Sequence, residues 1–117
     1  MHLGTDEVHL YFASPEAITD PLLLDAYRAL LTEEEEARRE RFLLQRARQE
    51  FLVARALVRT TLSRYGELSP GAWRFVKNKH GRPDLVPEQR GEPALLFNIS
   101  HTRGLVVCAV LRGLDVG

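Results

Sequence analysis

From Arg46 to Tyr65 the chain carries Phe51, Ala54, Val58, Leu62 and Tyr65 at steps of three and four. That spacing repeats every 3.6 residues, so it predicts one long amphipathic helix with its apolar stripe turned inward. Gly66 follows as a stop. A helix of this length needs a partner surface, and the flanking sequence supplies strands. Val8–Phe12 is rich in strand formers, Trp73–Asn78 alternates large apolar and polar residues, and Leu95–Ser100 and Leu105–Leu111 are apolar runs. Between the first strand and the long helix, Asp20-Pro21 reads as a helix cap and first turn. Thr32-Glu-Glu-Glu35 reads as a capping box opening another helix. The expected fold is α+β, with helices packed on one face of a mostly antiparallel sheet.

A chain of 117 residues is one domain, 1–117, by the usual size rule. No run of apolar residues is long enough for a membrane span. The N-terminus has neither a basic flank nor an apolar signal core, so a cytoplasmic protein is expected. The single cysteine, Cys108, lies inside an apolar run and is expected to pack as a small hydrophobe.

The formal net charge of zero hides a division. Residues 1–36 carry a net charge of −8 and residues 37–117 a net charge of +8. The second part either faces an anion or pairs with the first across the folded surface. The glutamates at 33–36 are expected to form a solvated first helical turn. On the long helix Arg48, Arg55 and Arg59 line one flank of the apolar stripe. That row can hold phosphates or simply cover the edge of the core.

Two further clusters bear on chemistry. Lys77, Lys79, His80 and Arg82 surround Gly81, whose lack of a side chain lets the backbone approach a ligand closely. Ser100 and His101 end one strand just before the next. Neighbours in a strand point to opposite faces, so direct activation of Ser100 by His101 is disfavoured and anion binding is the better role. Metal-ligand spacing is absent: there is no cysteine pair and no His-x-x-x-His.

Taken together, Arg38-Arg-Glu-Arg-Phe42, Phe51–Arg59, Asn78-Lys-His-Gly-Arg-Pro83 and Phe97-Asn-Ile-Ser-His-Thr102 resemble the 4′-phosphopantetheinyl transferases. The closer likeness is to the synthetase-activating class, in which two similar halves share one chain. The resemblance runs from about Leu31 to Gly117 and implies the N-terminal half, with the C-terminal half absent. It implies transfer of the phosphopantetheine arm of coenzyme A to a serine of an acyl or peptidyl carrier protein. It implies coenzyme A contacts from Arg38, Lys77, Arg82, Ser100 and His101, and no catalytic residue in this segment. Magnesium is expected only in the complete enzyme, because the family's metal-binding Asp and Glu would follow Gly117, and Asp115 falls before that position. The general base is likewise expected outside this segment. Glu35 stands where the family often has a basic residue. The chain alone is therefore expected to bind coenzyme A without turning over.

The alternative from another class is a non-catalytic nucleic-acid or phosphate-binding module, motivated by the basic second part. Nucleic acid is disfavoured, because Phe51, Trp73, Phe75 and Phe97 occupy core-like positions and are not interleaved with the cations. A sheet that ends with Leu105–Leu111 is also expected to expose an edge there, open to the chain itself or to the missing half.

Overall fold

The computed structural model describes residues 1–113, so Asp115 and Gly117 lie outside the described residues. Strand β1 (Val8–Ala13) leads to helices α1 (Pro21–Leu30), α2 (Glu33–Arg41) and α3 (Gln45–Leu62). Strands β2 (Phe75–Lys77), β3 (Pro83–Leu85), β4 (Ala94–Thr102) and β5 (Leu105–Gly113) follow. The larger sheet has the order β1-β5-β4, and β2 pairs with β3 in a separate ribbon. All these pairings are antiparallel. The fold is thus α+β, as the alternation of sequence patterns indicates.

Helix α3 is the principal cover of the sheet and packs on β1, β4 and β5. Its stripe of Phe51, Val58 and Leu62 is buried as the spacing predicts. Helices α1 and α2 pack against α3 and bury no residue of their own. Across β4 and β5, Phe97 pairs with Val110, Ile99 with Cys108 and His101 with Val106. Paired residues share a face, so His101 stands in the row that faces the core. Leu95, Phe97, Cys108 and Val110 of this face are buried with Val58, Leu62, Tyr65 and Trp73, and Val106 is buried beside His101. Each large apolar side chain so buried contributes roughly 1.5–3 kcal/mol. Cys108 packs among them, and burial raises its thiol to about 12, which suits a small hydrophobe rather than a reactive group.

Three expectations change. Leu105–Leu111 does not form an open edge, because β5 is the middle strand and β1 and β4 flank it. Two-residue chain reversal at Arg103-Gly104, where Gly104 has φ 67°, folds β5 back beside β4, and β1 closes its other side. The Trp73–Asn78 strand shrinks to Phe75–Lys77. Trp73 is drawn out of the ladder because its indole N–H donates to Ser63 Oγ at 2.8 Å. Its ring lies so close to Gly66 that an added Cβ there would stand 2.5 Å from Cη2. Gly66 is therefore required by close approach as much as by helix termination. Finally, the 33–36 turn is not simply solvated: Glu35 accepts from Arg59 and Glu36 from Arg39.

Among the described residues no helix is long and apolar enough to cross a membrane.

Candidate anion-binding site

The seam between α2 and α3 organises the site. Thr32 caps α2: its side chain accepts from Glu35 N at 3.1 Å, while Glu35 Oε1 accepts from Thr32 N at 3.0 Å. The same carboxylate oxygen accepts from Arg59 Nε at 3.2 Å and Nη2 at 2.7 Å. Arg59 is only 1% exposed. Its remaining nitrogen, Nη1, donates to the carbonyls of Pro70 at 3.0 Å and Trp73 at 2.7 Å. A buried guanidinium is tolerable only when paired and hydrogen-bonded, and Arg59 satisfies both conditions. Glu36 likewise pairs with Arg39 at 2.6 Å and Arg28 at 3.0 Å. Two of the four glutamates are thus engaged: Glu35 because α2 lies along α3 and meets Arg59, which sequence spacing alone does not bring near, and Glu36 by Arg39 three residues on in the same helix and by Arg28 of α1.

The arginine row of α3 also divides. Arg48 donates to the carbonyls of Phe42 at 2.7 Å and Glu40 at 3.3 Å, tying off the last turn of α2. Arg59 is built into the fold. Arg55 is neither tied off nor freely snorkelling. Its side chain is 16% exposed, yet the nearest carboxylate oxygen, on Glu35, is 3.7 Å from Nε. No hydrogen bond engages its guanidinium among the described residues. Burial, with Arg38 and Arg59 close by, holds this guanidinium below its ordinary value against the pull of Glu35. The guanidinium lies 5.2 Å from the centroid of the Phe51 ring, and that of Arg38 lies 5.6 Å from it. Two like charges on one aromatic platform form a site that an anion would relieve.

Two clefts meet at this platform, and both are lined by Arg38, Phe51 and Arg55. One, of about 390 Å³, adds Phe42, Val58, Ile99 and His101. The other, of about 780 Å³, adds Phe75, Lys77, Gly81 and Pro83. Among the sequence-derived residues, Arg38, Lys77 and His101 therefore border one continuous depression. Arg82 does not line either cleft, although its neighbours Gly81 and Pro83 border the larger one. Its backbone N–H donates to Asn78 Oδ1 at 3.1 Å, and its side chain is exposed at the turn. Gly81 adopts φ 76° there, a left-handed conformation that glycine reaches without steric penalty. Ser100 pairs with Val107 across β5, on the sheet face opposite His101, and lines neither cleft.

Arg55 and Phe51 are the residues that sequence reasoning left unassigned. The row Arg48, Arg55, Arg59 was visible, but its division depends on the placement of Glu35, which belongs to another helix.

The family profile described as 4′-phosphopantetheinyl transferase, N-terminal, matches residues 21–112. The chain is 34% identical to the 4′-phosphopantetheinyl transferase HetI of Nostoc sp. over 118 aligned residues, covering 98% of this chain and 47% of HetI. It is 37% identical over 84 residues to slr0495 of Synechocystis sp., covering 72% of this chain and 33% of that protein. The chain thus spans about half the length of HetI, and less of the second relative. Among solved structures, Helicobacter pylori holo-[acyl-carrier-protein] synthase, determined in complex with coenzyme A, superposes with a TM-score of 0.62. The likeness covers 92% of this chain and 100% of that one at 14% identity, which speaks for a shared fold.

Proposed function

The chain belongs to the 4′-phosphopantetheinyl transferase family, and from that premise we propose that it is the coenzyme A-binding, N-terminal half of such an enzyme. The complete enzyme would move the phosphopantetheine arm of coenzyme A onto a serine of an acyl or peptidyl carrier protein. The serine oxygen would attack the phosphorus that carries the arm, the bond to the second phosphate would break, and adenosine 3′,5′-bisphosphate would leave. The serine proton would pass to a base, for which this segment offers no assigned residue.

The observation that carries the reading is the Arg38–Phe51–Arg55 platform where two clefts join. Coenzyme A presents a diphosphate and a 3′-phosphate. The walls of the two adjoining recesses carry the cations Arg38, Arg55, Arg74 and Lys77 beside the carboxylates Glu33, Glu34 and Glu50. Glu35 is already engaged by Arg59, so phosphates would seat on the arginine side. Arginine forks bind phosphate bidentately, and each shielded charge-assisted bond contributes roughly 1.5–3 kcal/mol. Arg38 and Arg55 would grip the phosphate nearest the junction, with Lys77 on one side and His101 on the other. Arg82 would reach in from the rim beside Gly81, and Ser100, on the opposite sheet face, would join only where the end of β4 twists on binding.

Magnesium does not fit the described residues, since no group of three His, Cys, Asp or Glu gathers among them. No step is assigned to the ion here. Its ligands, like the base, are assigned to the length of the relatives that this chain does not span. A nucleic-acid platform has less support: Trp73 and Phe97 are buried in the core, and Phe51 is buried beneath arginines.

Calorimetric titration tests the reading. Coenzyme A should bind more tightly than 3′-dephospho-coenzyme A, and equal affinities would overturn the 3′-phosphate assignment. The 117 residues alone should not label an apo carrier protein with phosphopantetheine; robust turnover would overturn the assignment of catalysis to the other half.

A further inference from the structure

The turn between β2 and β3 is built around Asn78, a residue that lines neither cleft. Asn78 Oδ1 accepts from the backbone N–H groups of His80 at 2.8 Å and Arg82 at 3.1 Å. Its Nδ2 donates to Asp84 Oδ2 at 3.2 Å. The partners fix which atom is oxygen and which is nitrogen, since a backbone N–H only donates and an ionised carboxylate only accepts. The backbone closes the same loop. Gly81 N–H donates to the Asn78 carbonyl at 2.9 Å, and Asn78 N–H donates to the Arg82 carbonyl at 2.8 Å. Lys79, His80 and Gly81 thus form a three-residue hairpin loop, with Gly81 in its left-handed position. Asparagine suits the first corner of such a turn because its side-chain carbonyl binds the backbone two residues on.

The loop stands at the edge of the larger cleft. The rung below it, Lys77 paired with Pro83, lines that cleft, and so does Gly81. Asp84 comes next, a carboxylate beside a basic segment. Asn78 satisfies it through a neutral donor. Lys77, Lys79, Arg82 and Asp84 enter no ion pair among the described residues, so the segment keeps its positive charge for a ligand. We propose that Asn78 is a positioning residue for the anion site. Its one side chain holds Lys77 at the cleft wall and Arg82 at the rim, and keeps Asp84 from neutralising either. The inference rests on the proposed function, in which these two cations contact coenzyme A. Fixing them beforehand lowers the entropy lost when the phosphates bind.

The test titrates coenzyme A and, in parallel, inorganic pyrophosphate by calorimetry. The proteins are wild type, Asn78→Ala, the exchange variant Asn78→Asp/Asp84→Asn, and Lys77→Met/Arg82→Met with and without Asn78→Ala. Thermal melts set the temperature below every unfolding transition, and Arg38 and Arg55 should keep binding measurable in the methionine background. Asn78→Ala should weaken coenzyme A about fivefold to tenfold, the effect of one poorly held charged contact. In the methionine background the same change should cost less than about twofold, because nothing is left to position. The exchange variant reverses donor and acceptor between the two positions at constant net charge and should bind within about threefold of wild type. The amide order parameters of His80 and Arg82 should fall below about 0.6 in Asn78→Ala and return toward about 0.85 in the exchange variant.

Unchanged affinity in Asn78→Ala would overturn the proposal, as would order parameters that do not fall. So would an equal loss in both backgrounds, because Asn78 would then act without Lys77 and Arg82. An exchange variant with an ordered loop that still bound poorly would overturn it too, since the restored bonds would not restore the site. A wild type that binds pyrophosphate but not coenzyme A would strike the proposed function, and the pyrophosphate series would then decide for or against Asn78. A wild type that binds neither would overturn both.

Discussion

Two arginines on α3, one helical turn apart, occupy opposite ends of the same seam and do opposite things. Arg59 makes hydrogen bonds to Glu35, Pro70 and Trp73 and is buried, touching only the wall of the larger cleft. Arg55 shares Glu35 only at 3.7 Å and faces two clefts. Sequence, helix and flanking residues are nearly the same for both. What differs is the saturation of the guanidinium. A cation whose donors are all used serves the fold. A cation that is mostly buried, incompletely paired and crowded by another arginine is a candidate ligand for an anion arriving from outside, the role proposed for Arg55.

Substitution at the two positions should separate these roles. Arg59→Met strands the Glu35 carboxylate beside a buried site and should cost about 3–5 kcal/mol in urea unfolding. Adding Glu35→Gln should recover part of that loss, because the stranded charge is removed, although a capping-box member worth about 1 kcal/mol is weakened. Arg55→Met should leave stability within about 1 kcal/mol and lower coenzyme A affinity about tenfold to a hundredfold, the equivalent of one charge-assisted contact. The comparison breaks if Arg55→Met unfolds the protein while coenzyme A binding survives in the folded fraction.

This division also marks how far the sequence reached. The long helix, the antiparallel strands and the two N-terminal caps were legible because they are written in local spacing: Phe51 to Leu62, the alternation of β4, and the Thr32–Glu35 pair. The recess bordered by Arg38, Lys77 and His101 followed from resemblance in four short motifs. Arg55 was not separable from Arg48 and Arg59, because their fates are decided by Glu35, Phe42 and Trp73, which other segments bring to them. The central place of β5 was also hidden: an apolar run does not state which neighbour it pairs with, and β1, about a hundred residues earlier, closes its free side.

A smaller effect sharpens the fold side of the comparison. Arg39 grips Glu36 through Nε at 3.0 Å and Nη2 at 2.6 Å, and Arg28 adds a contact at 3.0 Å. Arg39 first, then Arg28, pulls the Glu36 carboxyl from 4.5 down to about 2. A carboxyl lowered on folding stabilises the native state above its unfolded value, and that contribution fades as pH falls from 4.5 toward 2. Since both partners touch solvent, Glu36→Gln should cost only about 1 kcal/mol at neutral pH. Wild type and variant should converge in urea melts near the bottom of that range. A constant difference across it would mean that Glu36 acts through packing rather than charge.

The smallest effect concerns the ligand side and the strand end. Ser100 and His101 are adjacent, so the pleat sends their side chains to opposite faces, and only His101 lines a cleft. If both reach the anion, the strand must twist enough at its end for Ser100 to turn inward. If the pleat holds, His101 alone makes the direct contact. His101→Ala should then lower coenzyme A affinity several-fold, near the roughly 0.5–1.5 kcal/mol of a single hydrogen bond, while Ser100→Ala should stay within about twofold. A larger loss from Ser100→Ala would place the hydroxyl on the phosphate and require the end of β4 to rearrange when the ligand binds.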